Sequence, residues 1–331
     1  MVPLSVLDLS PIVEGGDAGQ SFANSLNLAQ HAERWGYKRF WMAEHHSMPG
    51  VASAATAVIL AHVAAGTSTI RIGAGGVMLP NHSPLVIAEQ FGTLEALHPG
   101  RIDLGLGRAP GTDQAAAYAL RRNLDSDANQ FPRDVAELMR YFDPPEPGQR
   151  VRAIPGEGLR VPVWILGSSL FGAQLAAALG LPYAFASHFA PGLMDEAIAI
   201  YRRDFKPSTQ LDRPYVMLGF NIFAANTDEE AQYLASSMQQ AFVNLRTGRP
   251  TPLPRPVANY LETLPPQYRA MLDQVLSSSG IGSPETIRGA MQAFLDRTRA
   301  DELMVTSQIH DHKARLRSFE IAAEVAGSIA D

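Results

Sequence analysis

The sequence predicts a (β/α)8 (TIM) barrel, and three observations carry that reading. Strand-like apolar runs alternate with helical ones along almost the entire length, the pattern of a parallel sheet wound from βα units. Eight such pairs can be counted. The chain has 331 residues, 46% of them hydrophobic, which is ample material for one large core, and no internal repeat or low-complexity tract divides it. Residues 1–331 are therefore expected to form a single barrel domain.

The first unit is "LSVLDLS" (residues 4–10) with a helix around residues 21–35, and the second is "RFWMAEHH" (39–46) with an Ala-rich helix at 53–65. "IRIGAGGVML" (70–79) leads into 85–97, and "RIDLGLG" (101–107) leads into a helix near 132–142. "VPVWILGSS" (161–169) precedes 171–179, and "YAFASHF" (183–189) precedes 193–205. The seventh strand is "PYVMLGFNIFAA" (214–225); the eighth, "ELMVTSQ" (302–308), is followed by a final helix at about 311–326. Between these last two strands the chain is too long for one helix. Thr227 with Glu230 reads as a capping box opening one helix, and Ser283-Pro284 opens another. The Pro-rich stretch between them, residues 249–282, reads as irregular, and a loop of that length in a compact domain is expected to serve as an active-site lid.

Composition removes several function classes. Net charge is -6 with both signs interspersed, so neither a nucleic-acid groove nor a polybasic membrane face is expected. The absence of cysteine excludes disulfides, thiolate metal sites and cysteine nucleophiles together. No secretory leader or membrane-spanning run is visible, so a cytoplasmic location is expected.

In this architecture catalytic groups gather at the strand C-termini. The second strand ends in Glu44-His45-His46, and alternation sends the two histidines to opposite sides. His45 is read as facing the barrel mouth and His46 as a structural partner for Glu44, which argues against a metal site made from the pair. Gly73, Gly75 and Gly76 either let the backbone pass close to something flat or mark a barrel-corner kink. Arg108, after Gly105 and Gly107, either holds an anion or pairs with a carboxylate. Ser168-Ser169, before a helix, either meet a phosphate or simply cap the helix. "GLGRAPG" fails as a dinucleotide fingerprint because Pro110 stands where the third glycine belongs, and there is no Walker A sequence.

The segments "FWMAEHHSMPGVAS", "IRIGAGGVMLPNHSPLVIAEQFGTLEALHPGRIDLGLGRAPG" and "ILGSSLFGAQLAAALGLP" resemble the bacterial-luciferase-like, flavin-dependent monooxygenases, most strongly over residues 36–111. The resemblance implies a lid after strand seven, reduced FMN delivered by a separate flavin reductase, and oxygen activation at flavin C4a. By the same resemblance, His45 is the catalytic histidine beside the flavin, and Gly75-Gly76 is a non-proline cis peptide facing the isoalloxazine. Arg108 holds the phosphate, and Gly167, Ser168 and Ser169 adjoin it. It further implies a homodimer through residues 53–66 and 85–97. Two departures stand out. Gly167 and Phe171 replace a glutamate and a threonine of the luciferase phosphate site, and the luciferase cysteine is missing, which favours a dark monooxygenase on another small organic substrate.

The alternatives are a deazaflavin (F420)-dependent dehydrogenase on the same barrel and a non-catalytic flavin-binding protein. A metal-dependent amidohydrolase is disfavoured because strand one lacks an inward His-x-His pair. Phe22, Trp41, Phe189 and Phe220 are candidates for an apolar substrate pocket.

Overall fold

The computed structural model describes residues 2–108, 118–120 and 130–329. Its strands are β1 (Leu4–Asp8), β2 (Arg39–Met42), β3 (Arg71–Met78), β4 (Ile102–Gly107), β5 (Val163–Gly167), β6 (Tyr183–Phe185), β7 (Val216–Ala224), β8 (Ser279–Gly282) and β9 (Glu302–Thr306). All pairings are parallel. The order β6-β5-β4-β3-β2-β1-β9-β7, with β6 pairing back to β7, closes an eight-stranded (β/α)8 barrel. Around it lie α1 (Ala18–Arg34), α2 (Thr56–Ala65), α3 (Pro84–Leu97), α4 (Phe131–Arg140), α5 (Leu170–Leu179), α6 (Met194–Asp204), α7 (Asp228–Arg246), α8 (Tyr260–Thr263), α9 (Pro266–Val275), α10 (Pro284–Thr298) and α11 (His312–Ala326).

The stretch 249–282 corrects the expectation of an irregular loop, because it contains α8, α9 and the ninth strand, β8. β7 runs beyond the barrel, and its last residues, from Asn221 to Ala224, pair with Ser279 to Gly282. β8 reads "SGIG", with a single β-branched residue and two glycines, so its own sequence carries almost no strand signal. The free edge of β7 creates it. The helix starts follow local chemistry: the Thr227 hydroxyl accepts from the Glu230 amide at 3.2 Å, and Asp17 caps α1 by accepting from the Gln20 amide at 2.8 Å.

Period-two alternation sorts the strand residues. Val6, Phe40, Met42, Ile72, Leu104, Leu218 and Val305 face the helices in the outer core. Leu7, Trp41, Trp164, Ala184, Met217 and Met304 face inward as a second apolar layer. Trp41 meets Trp164 edge-on at 5.1 Å, and Trp164 meets Tyr215 at 5.7 Å.

Beneath that layer the barrel base is ionic. Arg39 lies between Asp103 (2.7 Å) and Glu302 (2.9 Å), both fully buried, and Arg71 reaches the other Asp103 oxygen at 2.7 Å. The Ser5 and Tyr215 hydroxyls donate to Glu302, the latter at 2.7 Å. Burial works against the Arg39 charge, but Asp103 and Glu302 outweigh it and hold the guanidinium protonated. On the outer side, Arg315 of α11 pairs with buried Asp8 of β1 at 2.6 Å and so ties the last helix to the first strand.

Removing one carboxylate of the base leaves a buried cation short of a partner. Glu302→Ala is expected to lower unfolding free energy in urea by about 3–5 kcal/mol. A loss under about 1 kcal/mol would mean that water takes the carboxylate's place.

Candidate active site

Alternation continues past the end of β2. Trp41 and Ala43 belong to the inner layer, and Glu44 turns outward, where it is 2% exposed. Its Oε1 accepts from His46 Nε2 at 2.6 Å and His82 Nε2 at 2.7 Å, and its Oε2 accepts from the Met78 amide at 3.0 Å. Burial alone would raise the Glu44 carboxyl, but these donors, His82 foremost, hold it below the ordinary carboxylate range. The His46 pairing is the structural role that the sequence suggested; His82, 38 residues further on, carries no local signal of it. The three side chains lie close enough to share a cation, with ligand atoms within 4.8 Å of one another. Both imidazole donors are spent on the carboxylate, however, so the cluster works as a brace between the ends of β2 and β3.

Inside the barrel mouth lies a small cleft, partly open to solvent, lined by Leu7, Trp41, Gly75, Leu166, His188 and Met217 among others. The Gly75-Gly76 bond is cis, and the β3–β4 register shifts between Gly75 and Val77. A side chain at Gly75 would put its Cβ 2.9 Å from Leu7 Cδ1 and 3.0 Å from Trp41 Cε3, so the wall there must stay bare. Gly73 is bare for a different reason: Trp41 Nε1 and the Asp103 carbonyl would lie within 2.7 Å of its Cβ.

Of the four aromatic candidates, only Trp41 lines this cleft. Phe220, at an even position on β7, faces outward onto Phe294 at 4.9 Å, and Phe22 packs on the outer core. Phe189 sits edge-on to Phe242 at 6.0 Å and is 44% exposed.

His188, just after β6, is the residue that sequence reasoning passed over; its signal was a polar side chain at the end of "YAFASHF". Gly219 on β7 makes room for its ring, since a Cβ there would fall 2.0 Å from His188 Nδ1. Asn221 Nδ2 donates to the His188 carbonyl at 2.8 Å, and the Ser187 hydroxyl donates to the Gly219 carbonyl at 2.6 Å, fixing the turn. Burial pushes the His188 imidazole down to about 4, and nearby His45 adds to this. Burial also lowers His45; the Glu44 charge opposes that fall and His46 adds to it. The His188 ring is neutral at pH 7, and His45 is close enough that its protonation would bear on His188.

A second group gathers at the β4 and β5 ends. Arg108 stacks its guanidinium 4.2 Å above the Phe171 ring, in the first turn of α5, and has no ion-pair partner among the described residues. Gly167 ends β5; Ser168 follows it, and Ser169 precedes α5 in extended geometry without using its side chain as a cap. The N–H groups of that helix start are thus free to meet an anion. Residues 109–111 of the "GLGRAPG" segment, Pro110 included, lie outside the described residues. Over the mouth, the segment after α7 is stitched to two loops. Leu253 N donates to the Ile12 carbonyl at 2.8 Å, its own carbonyl accepts from Glu14 N at 2.9 Å, and the Thr251 carbonyl presses on Gly50.

A histidine kept neutral by burial favours unfolding in acid. The unfolded His188 takes a proton at its ordinary 6.5 and the folded one only at about 4, so its contribution is full above 6.5 and is lost as pH falls toward 4. His188→Gln should therefore lose about 2 kcal/mol less stability than the parent between pH 7 and pH 5. Parallel losses in urea titrations would contradict the buried neutral state.

Residues 2–302 match the family model described as luciferase-like monooxygenase. A protein of Escherichia coli (strain K12) named luciferase-like monooxygenase is 55% identical over 324 residues, covering 98% of this chain and 97% of that protein. The crystal structure of apo-MsnO8 superposes with a TM-score of 0.88 at 36% identity over 99% of both chains. The oxygenating constituent of 3,6-diketocamphane monooxygenase from Pseudomonas putida, solved with FMN, shares the fold (TM-score 0.73, 18% identity, 99% of both chains). The chain belongs to the luciferase-like monooxygenase family.

Proposed function

We propose that this protein is an FMN-dependent monooxygenase, the oxygenase component of a two-component system, acting on a small organic substrate with reduced FMN supplied by a separate reductase. The observation that carries the reading is the pairing of a bare glycine wall in the cleft with a rim where, among the described residues, Arg108 has no carboxylate partner and α5 has no side-chain cap. These residues fit FMN. Gly75 lines the cleft with bare backbone, on which a flat ring can lie, while Arg108 and the Ser168-Ser169 turn suit its phosphate. Bound reduced flavin supplies the electrons that activate dioxygen; the remaining work falls to the protein.

His45, neutral and inward by strand alternation, is the residue assigned to hold and move a proton at the reacting centre. The Glu44–His46–His82 brace fixes the backbone that carries it. Residues 249–282 are assigned as the lid, which the Leu253 bridges anchor to the loop after β1 and which would shield the cleft once a ligand is bound. A homodimer through residues 53–66 and 85–97 accords with Val58 (72% exposed), Val86 (44%) and Leu97 (63%) on α2 and α3. Among the described residues no helix is long and apolar enough to cross a membrane.

The class is tested by titrating the apo-protein with FMN and with a deazaflavin, then mixing the reduced complex with oxygen. Tight FMN binding and rapid oxygen uptake are expected. Binding of the deazaflavin alone, with a reduced complex inert to oxygen, would replace the oxygenase by a hydride-transfer enzyme. For the rim, Arg108→Ala should weaken FMN by roughly 10- to 100-fold while leaving riboflavin within about threefold, because only the phosphorylated form loses a charge-assisted pair. Equal losses, measured by fluorescence quenching, would remove Arg108 from the phosphate site.

A further inference from the structure

His188 has two ring nitrogens in different surroundings. Nδ1 is buried without a hydrogen-bond partner among the described residues, and it abuts the Gly219 backbone so closely that a Cβ there would sit 2.0 Å away. The ring itself lines the cleft, so Nε2 is the nitrogen left to the open space. A neutral imidazole must place one proton. At Nδ1 an N–H would point at a C–H wall, hydrogen against hydrogen, and forfeit a donor that water would satisfy. A lone pair at the same place meets a weakly positive Cα–H, a mild attraction. The proton therefore belongs on Nε2. The lining offers no carboxylate to draw in a second proton: Leu7, Met217 and Met304 are apolar, and His45, outside the lining but near enough to act on the ring, opposes a second charge.

We infer that His188 is locked as the neutral Nε2–H tautomer and donates a hydrogen bond to an acceptor atom of the flavin ring held in the cleft. The inference rests on the flavin reading above. It is confined to the ring end of the ligand, because His188 and Gly75 line one cleft whereas Arg108 and Ser169 serve the rim. Gly219 becomes a positioning residue: its missing side chain is what turns Nδ1 to the wall and Nε2 to the ligand.

The test has a ligand-free arm and a binding arm. In protein labelled with ¹⁵N-histidine, long-range ¹H–¹⁵N spectra report the tautomer of each ring, and His188 is assigned by the signal that His188→Gln removes. A protonated Nε2 and bare Nδ1 at pH 7, with the Nε2 signal moving when FMN saturates the protein, are expected. In the binding arm, His188→Leu should weaken FMN roughly three- to tenfold, the span of one lost hydrogen bond. His188→Gln, whose amide nitrogen reaches the Nε2 position, should stay within about twofold of the parent, and His188→Asn, whose amide ends near Nδ1, should behave like the leucine variant. A protonated Nδ1, a cationic ring at pH 7, or parental FMN affinity in His188→Leu overturns the proposal. A parent protein that takes no FMN overturns both the flavin reading and the recipient named here, and is told apart because the tautomer is read before any ligand is added. The spectra need one folded variant for the assignment, and His188→Gln, His188→Asn or His188→Leu serves equally, so a single variant that fails to fold leaves the proposal open to refutation.

Discussion

The position of Arg39 between Asp103 and Glu302 sets the frame for everything above it. A guanidinium inside the barrel is tolerable only with both carboxylates in reach, and the three charges come from β2, β4 and β9. Shifting any of those strands by one residue would send a charge outward among Phe40, Leu104 and Leu303 and leave its partner unpaired inside. The base therefore fixes the register. Two residues on from Arg39, Trp41 must face inward; two more bring Ala43, and two more His45. The neutral imidazole at the mouth and the cation at the base are the ends of one alternating row.

Trp41 in turn dictates the glycines opposite. Its indole lies against β3, donates to Asp103 at 3.2 Å, and occupies the space that side chains at Gly73 and Gly75 would need. One bulky residue on β2 thus trades against bare backbone on β3, and the cleft begins where that wall has nothing in front of it. On the other flank the same exchange recurs between His188 and Gly219. At both places the missing side chain makes room for a neighbouring ring, Trp41 or His188, at the density of a packed interior.

The outer row of β2 has its own economy of charge. Glu44 faces away from the cleft, yet it collects His46, His82 and the Met78 amide and so clamps the segments that follow β2 and β3. The carboxylate carries a structural load just one peptide bond from His45. The two outward members of the Glu-His-His run, Glu44 and His46, satisfy each other through one hydrogen bond.

The sequence by itself determined the eight barrel strands, the helix starts at Thr227 and Ser283 and the pairing of Glu44 with His46. Each follows from period-two alternation, 3.6-residue periodicity or a cap, which are properties of neighbouring residues and need no knowledge of what lies across the molecule. Tertiary structure alone decided the rest. β8 exists because β7 overruns the barrel and offers an edge; Glu44 finds His82, and Arg39 finds Glu302 across 263 positions. Phe220 and Phe22 turned out to belong to the outer core, while His188 became a cleft residue through the gap at Gly219. Such partners are chosen by closure of the barrel, which brings distant residues to within 3 Å, and no local pattern records which of them will meet.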